Sequence, residues 1–163
     1  MSTAITIRPL TLADEPFLWE MLYQALYVPP GRPPFPRATL DEPDISRYVQ
    51  GWGRADDAGY AAQDGEQPIG AAWLRLLIGD NRGYGYVDET TPELSIAVLP
   101  GYRDQGIGSA LLTHLLDYAA SRYSALCLSV VAQSRAVRLY RSFGFEVVRE
   151  AGTGLTMVRR WQP

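Results

Sequence analysis

Between Leu94 and Leu112 the hydrophobic period of the chain changes abruptly. Leu94, Ile96 and Val98 alternate with Ser95 and Ala97 as in a half-buried strand, whereas Leu111, Leu112, Leu115, Leu116, Ala119 and Ala120 recur at helical spacing. A strand must therefore run through a short turn directly into a helix. The turn carries Gly106 and Gly108, which let the backbone bend and let a ligand approach where no side chain intervenes. The first amides of the new helix have no intrahelical acceptor, and the positive end of the helix dipole lies among them. Such a junction suits the oxygens of a phosphate.

Composition narrows the ligand. The chain has 163 residues, 47% of them hydrophobic, and a formal net charge of -3. That length fits a single domain, residues 1–163, with a sizeable core. The acidic balance argues against a protein that coats nucleic acid, so any polyanion is held locally. All 15 cationic residues are arginine, which excludes a Schiff-base lysine mechanism. One cysteine, Cys127, lies in the apolar run 125–131 and reads as a small buried hydrophobe. One histidine, His114, falls on the polar side of its helix, so zinc sites built from Cys and His lack ligands and no metal is expected. Residues 1–8 show no apolar leader core and no segment is long enough to span a membrane, so no membrane partner and a cytoplasmic location are the expectations.

Along the chain, the patterns predict the order β, α, α, β, β, β, α, β, α, β, β. A strand covers Ala4 to Arg8. A helix over Asp14 to Tyr27 carries Phe17, Leu18, Met21, Leu22, Ala25 and Leu26 on one side, with Asp14 and Glu15 at its positive end. Residues 28–37 hold Pro29, Pro30, Pro33, Pro34 and Pro36 and lack the amide donors for either ladder. A short helix follows over Pro43 to Gln50. Tyr60 to Gln63 and Pro68 to Ile78 form strands joined through Asp64-Gly65. The long loop Gly79 to Thr91 is a functional candidate. After the central helix, Leu126, Leu128 and Val130 mark a strand covered on both faces, and strand, helix, strand implies parallel pairing. Ser134 caps a further helix that Gly144 ends, and the tail closes as an antiparallel pair, Phe145 to Arg149 and Gly154 to Arg160.

A phosphate-binding P-loop would need Lys and Ser or Thr after its last glycine, and Ile107-Gly108 stand there instead. A dinucleotide fingerprint would need a small residue in place of Leu111 and an acidic one near Ala132 and Gln133. What the residues do resemble is the GNAT superfamily of N-acetyltransferases. Arg103-Asp104-Gln105-Gly106-Ile107-Gly108 fits its pyrophosphate motif (Q/R)-x-x-G-x-(G/A), and Ala136-Val137-Arg138-Leu139-Tyr140-Arg141-Ser142-Phe143-Gly144-Phe145 is similar to its A-x-x-L-Y-x-x-x-G-F signature. The resemblance spans essentially the whole chain. It implies a mixed α/β fold, a twisted sheet of six or seven strands flanked by about four helices, whose parallel central strands, the fourth and fifth, splay into a cleft for acetyl-coenzyme A.

The same resemblance implies the site. Backbone amides across Arg103, Asp104, Gln105, Gly106, Ile107, Gly108 and Ser109 would wrap the pyrophosphate, the peptide groups of Ile96, Ala97 and Val98 would pair with the pantetheine arm, and Arg141, beside Arg135 and Arg138, is a candidate for the adenosine phosphates. Tyr140 takes the place of the general acid that protonates the leaving thiolate, and Glu93 that of the base that deprotonates the amine. A backbone N–H near Val98 would polarise the thioester carbonyl. Where many relatives have asparagine, this chain has Gln133 followed by Ser134, and either is a candidate for a pantetheine contact.

The acceptor pocket of the family is built from the first two helices, their connection and the loop between the third and fourth strands. Here those segments supply Tyr27, Trp52, Tyr84 and Tyr86 together with several carboxylates, a combination that suits a cationic amine. The reading is an acetyl transfer to a primary amine of a small-molecule or amino-acid-like acceptor. A protein N-terminal or lysine acetyltransferase and a non-catalytic acyl-coenzyme A-binding module are the alternatives. A homodimer is compatible with the family, although nothing in the chain demands one.

Overall fold

The computed structural model describes residues 4–161; the leader reading above rests partly on residues 1–3, which lie outside that range. The elements are β1 (Ile5–Pro9), α1 (Glu15–Ala25), α2 (Pro43–Ser46), β2 (Ala58–Asp64), β3 (Gln67–Arg75), β4 (Glu93–Val98), α3 (Ile107–Ala120), β5 (Ala125–Val131), α4 (Ala136–Ser142), β6 (Glu146–Ala151) and β7 (Gly154–Arg160), with short 3-10 turns between some of them. This is the order expected from the patterns.

Several boundaries move, each for a local reason. Asp14 precedes α1 rather than beginning it, because its carboxylate is taken by the Arg8 guanidinium at 2.8 Å on each oxygen and by the Thr11 amide at 2.7 Å. The helix stops at Ala25, where Leu26 turns extended. Helix α2 is one turn long instead of reaching Gln50, and residues 47–51 continue as turns. Strand β3 ends at Arg75, short of Ile78, and β2 starts at Ala58, ahead of Tyr60. Phe145 does not open β6. Its amide bonds the Tyr140 carbonyl while the Gly144 amide bonds Arg141, and Gly144 has φ 90°, so Phe145 closes α4 in a Schellman arrangement before the strand begins.

The strands form one sheet in the order β1-β2-β3-β4-β5-β7-β6. All neighbours are antiparallel except β4 and β5, which are parallel and share one register pair, Glu93 with Cys127. Beyond it the two strands diverge. Alternation along β3 divides the core: Ala72 and Leu74 face α3 with Leu111, Leu112 and Leu115, whereas Ala71 and Trp73 face α1 with Leu18 and Met21. Each leucine buried in this way contributes about 1.5–3 kcal/mol relative to exposure. Cys127 is fully buried between Ala125 and Val158, and burial pushes its thiol above the ordinary range. No helix among the described residues is long and apolar enough to cross a membrane.

Candidate active site

A cavity of about 1060 Å³ follows the divergence of β4 and β5. It is lined by Leu94, Ser95, Ile96 and Val98 on one side, Ser129, Val130 and Val131 on the other, the start of α3, and one side of α4. Backbone parity decides which peptide groups of β4 face it. The Leu99 amide bonds Ile69 on β3 at 2.9 Å, and the Pro92 carbonyl accepts from the Cys127 amide of β5 at 3.0 Å. Peptide groups alternate sides along a strand, so those of Ile96 and Val98 face the open edge. Those of Ala97 face β3, where Ala97 pairs with Ala71. Of the three residues expected to meet the pantetheine arm, Ala97 is thus the one turned away.

The turn into α3 matches its expected shape. Asp104 and Gly106 both take left-handed conformations, φ 61° and φ 80°, which bends successive amides inward as in an anion-binding nest. Ala110 is the first amide bonded back, to the Gly106 carbonyl at 3.1 Å. The amides of Ile107, Gly108 and Ser109 precede it, and these residues, with Arg103, Asp104 and Gly106, line the cavity. The Arg103 guanidinium donates to the Val98 carbonyl at 2.9 Å and to Gln24 at 3.3 Å. Gln105 is exposed and reaches the Gly101 carbonyl instead.

At the vertex stands Glu93, 4% exposed. Its Oε2 accepts from the Tyr48 hydroxyl at 2.6 Å and from the Gly85 amide at 3.1 Å, while Oε1 is buried without a partner among the described residues. Burial pushes this carboxyl up to about 7, against the lowering effect of the Tyr48 and Gly85 hydrogen bonds and of the Arg149 and Arg47 charges. Sequence reasoning expected the residue but not its setting. Tyr48 was missed altogether; Ile45, Tyr48, Val49 and Trp52 lie at helical spacing, which marks Tyr48 as core, and a tyrosine hydroxyl in a core needs a partner.

The loop between β3 and β4 completes this setting. The Tyr84 amide donates to Tyr48 Oη at 2.7 Å. A Cβ on Gly83 would lie 2.3 Å from Glu93 Oε1, and one on Gly85 would lie 2.7 Å from the Leu128 backbone. Both glycines are required by close approach. From the far side, the Arg149 guanidinium of β6 donates to the Tyr86 carbonyl and to Thr156, each at 3.0 Å.

Tyr140 lies on the cavity wall, 7% exposed, with its ring edge-on to Phe145. Burial raises its phenol above the ordinary range, so it stays protonated at neutral pH. Ser134 lines the cavity and caps α4 through the Ala136 amide at 3.1 Å. Gln133 and Arg141, also expected near the coenzyme, are exposed and outside the lining. Tyr27 and Tyr84, expected at the acceptor, line the cavity. Trp52 does not: it is buried beneath α1 with its indole N–H on the Thr11 carbonyl at 3.1 Å. Tyr86 also lies outside, stacked under Arg82 and bonded to Glu89. No group of three or more metal-ligating side chains is assembled among the described residues.

The acetyltransferase (GNAT) family model matches residues 19–145. An uncharacterized N-acetyltransferase of Bacillus subtilis, YjcF, is 32% identical over 87 residues, 53% of this chain and 54% of that protein. An uncharacterized Mycobacterium leprae protein, ML0378, is 49% identical over 53 residues, 32% of this chain and 14% of its own length. The matched segment is thus about half of the Bacillus protein and a small part of the Mycobacterium one. Among solved structures, the PaiA N-acetyltransferase of Thermoplasma acidophilum in complex with coenzyme A superposes with a TM-score of 0.69 at 18% identity, covering 98% of this chain and 100% of that one. The ribosomal-protein-S18-alanine N-acetyltransferase of Escherichia coli superposes with a TM-score of 0.66 at 22% identity, covering 96% and 94%. Identities this low establish likeness of fold.

Proposed function

We propose that this chain, which belongs to the acetyltransferase (GNAT) family, moves an acetyl group from acetyl-coenzyme A to the primary amine of a small-molecule or amino-acid-like acceptor, with Glu93 as base and Tyr140 as acid. The observation that carries the proposal is the single cavity in which both residues and the first turn of α3 meet. The amides of Ile107, Gly108 and Ser109 would hold the pyrophosphate, and the open edge at Ile96 and Val98 would pair with the pantetheine arm.

The residues divide the proton work. An ammonium must lose two protons to become an amide, and the departing thiolate takes one back, so each turnover releases one. Glu93, with its carboxyl pushed up to about 7, is matched to the first removal. The Val98 N–H would polarise the thioester carbonyl, and Tyr140, kept neutral by burial, would protonate the sulfur. General acid and base steps are each worth about a hundredfold to ten-thousandfold.

The test is acetyl-coenzyme A binding by calorimetry, followed by thiol release with a panel of primary amines. Binding with amine-dependent release supports the proposal; tight binding with no turnover of any amine favours the non-catalytic module, and no binding overturns it. Likeness to a ribosomal-protein alanine acetyltransferase is the observation behind the second reading, a protein amino terminus as acceptor, and peptides in the same panel distinguish it.

A further inference from the structure

We infer that the acceptor is a primary amine carried on an apolar or aromatic body with no carboxylate beside the amine; this rests on the acetyl-transfer reading above and narrows it. The acceptor end of the cavity is walled by Leu26, Tyr27, Phe35, Ile45, Tyr48 and Tyr84. Two of these, Phe35 at 41% and Tyr84 at 57%, are among the exposed large hydrophobic residues of the molecule, and both border the same opening. Aromatic surface left open at a cavity mouth is what an apolar ligand would cover.

Phe35 does not stand there by accident of a loose segment. The Tyr23 hydroxyl donates to its carbonyl at 2.6 Å, and Arg37, two residues on, lies over the Tyr23 ring and pairs with Glu20 at 2.7 Å. The proline-rich stretch is thereby tied to α1.

The charges decide the rest. An α-amino acid would bring its carboxylate to within a few ångströms of the reacting nitrogen, and some cation would have to meet it. None lines the part of the cavity that would receive it. Among the described residues that line the cavity the only cations are Arg103 and Arg135, both at the coenzyme end near the turn into α3 and the start of α4. Outside that lining, Arg37 pairs with Glu20, Arg47 with Asp44 and the Pro43 carbonyl, and Arg82 lies near Glu89 and over the Tyr86 ring. Arg149, whose charge reaches Glu93 with that of Arg47, is held by the Tyr86 carbonyl and Thr156; Arg32, three residues before Phe35, is exposed and also outside the lining. The carboxyl group at the base of this end is Glu93, beside the Tyr48 hydroxyl, and Asp44 and Glu42 act on Tyr84 through their charge, opposed by Arg47. A second carboxylate would enter among carboxylates, whereas a cationic amine would be drawn in.

A matched series separates charge from size: 2-phenylethylamine, phenylalaninamide and phenylalanine, each offered to the full chain with acetyl-coenzyme A. The expected kcat/KM for 2-phenylethylamine exceeds that for phenylalanine by about tenfold or more, with phenylalaninamide recovering most of the loss, since like charges in a partly desolvated site cost at least that factor. Phenylalanine used as well as 2-phenylethylamine overturns the inference. So does acetylation of the amide alone, which would place the acceptor among peptides. If none of the three is acetylated the inference also falls, while calorimetric uptake of acetyl-coenzyme A by the same sample keeps the acetyl-transfer reading separate. Phe35→Arg, at an exposed position, supplies the missing cation and is expected to narrow the preference between 2-phenylethylamine and phenylalanine without altering coenzyme affinity; an unchanged preference would count against the charge argument.

Discussion

Gly106 and Gly108 are two residues apart and are glycine for different reasons. Gly106 has φ 80° and open space where a Cβ would go, so its requirement is conformational. At Gly108 a Cβ would make ordinary contacts of 3.5 Å with Leu139 and 3.9 Å with Ile96, so nothing in the folded chain alone forbids a side chain there. What a side chain would obstruct is the ligand. Gly108→Val is therefore expected to keep a thermal midpoint close to that of the wild type and to lose coenzyme binding by calorimetry, whereas Gly106→Ala should cost about 1 kcal/mol or more of stability in denaturant titration. Retained coenzyme affinity in Gly108→Val would contradict the assigned approach.

Glu93 carries a pH signature of its own. Its carboxyl is raised from an ordinary 4.5 to about 7, so between those values the folded chain keeps a proton that the unfolded chain has released. Stability consequently falls as pH rises through that window and is constant above it. Glu93→Gln should be the more stable protein at about pH 8, by up to about 3 kcal/mol, with the difference closing toward acid. The transfer rate should run the opposite way, rising through pH 7 as the base ionises. Because the Tyr48 hydroxyl lowers this carboxyl, Tyr48→Phe is expected to move the acid limb of the rate profile to higher pH, and an unmoved limb would detach Tyr48 from the base. Tyr140→Phe should reduce transfer at least about tenfold with coenzyme affinity nearly intact; unchanged turnover would remove Tyr140 from the mechanism.

At the scale of elements, the short α2 and its turn are where patterning and structure part most clearly. Ile45, Tyr48, Val49 and Trp52 read as one helical face, yet the helix ends at Ser46. The reason is a side chain from elsewhere. Arg75, 1% exposed at the end of β3, pairs with Asp57 at 2.9 Å and donates to the carbonyls of Arg47 at 2.9 Å and Gln50 at 2.7 Å, while the Trp73 indole donates to the Tyr48 carbonyl at 2.9 Å. These four contacts hold the turn that aims Tyr48 at Glu93. Arg75→Leu would leave the buried Asp57 carboxylate with only the Gly53 and Arg54 amides and the more distant Arg54 guanidinium at 3.8 Å, and is expected to cost about 3 kcal/mol in denaturant unfolding; a loss below about 1 kcal/mol would show that the ion pair is dispensable. The junction into α3, the caps of α4 at Ser134 and Gly144, and the turn at Gly65 were all legible because each depends on residues adjacent in the chain. The Arg75 contacts were not, since their partners lie 18 to 28 positions away.

At the scale of the whole molecule, β4 and β5 meet at one pair of residues and then separate, and the cavity lies in that separation. The strands on either side are fully laddered, β4 to β3 and β5 to β7, so the gap is held open from both flanks and the coenzyme arm would add the missing hydrogen bonds. Saturating coenzyme should accordingly stabilise the folded chain, by about 2.7 kcal/mol at a hundredfold excess over its dissociation constant. Sequence alone determined the order of elements and the glycine-bearing turn from β4 into α3, because hydrophobic period, left-handed turns and helix caps are local properties, while the role expected of Tyr140 came from the resemblance to the family. Tertiary structure decided that Glu93 is buried and protonates near neutrality, that Tyr48 holds it, that Trp52 and Ala97 turn from the cleft, and that among the described residues only Arg103 and Arg135 bring a guanidinium to the cavity lining; burial, strand parity and the convergence of distant side chains exist only once the sheet has formed.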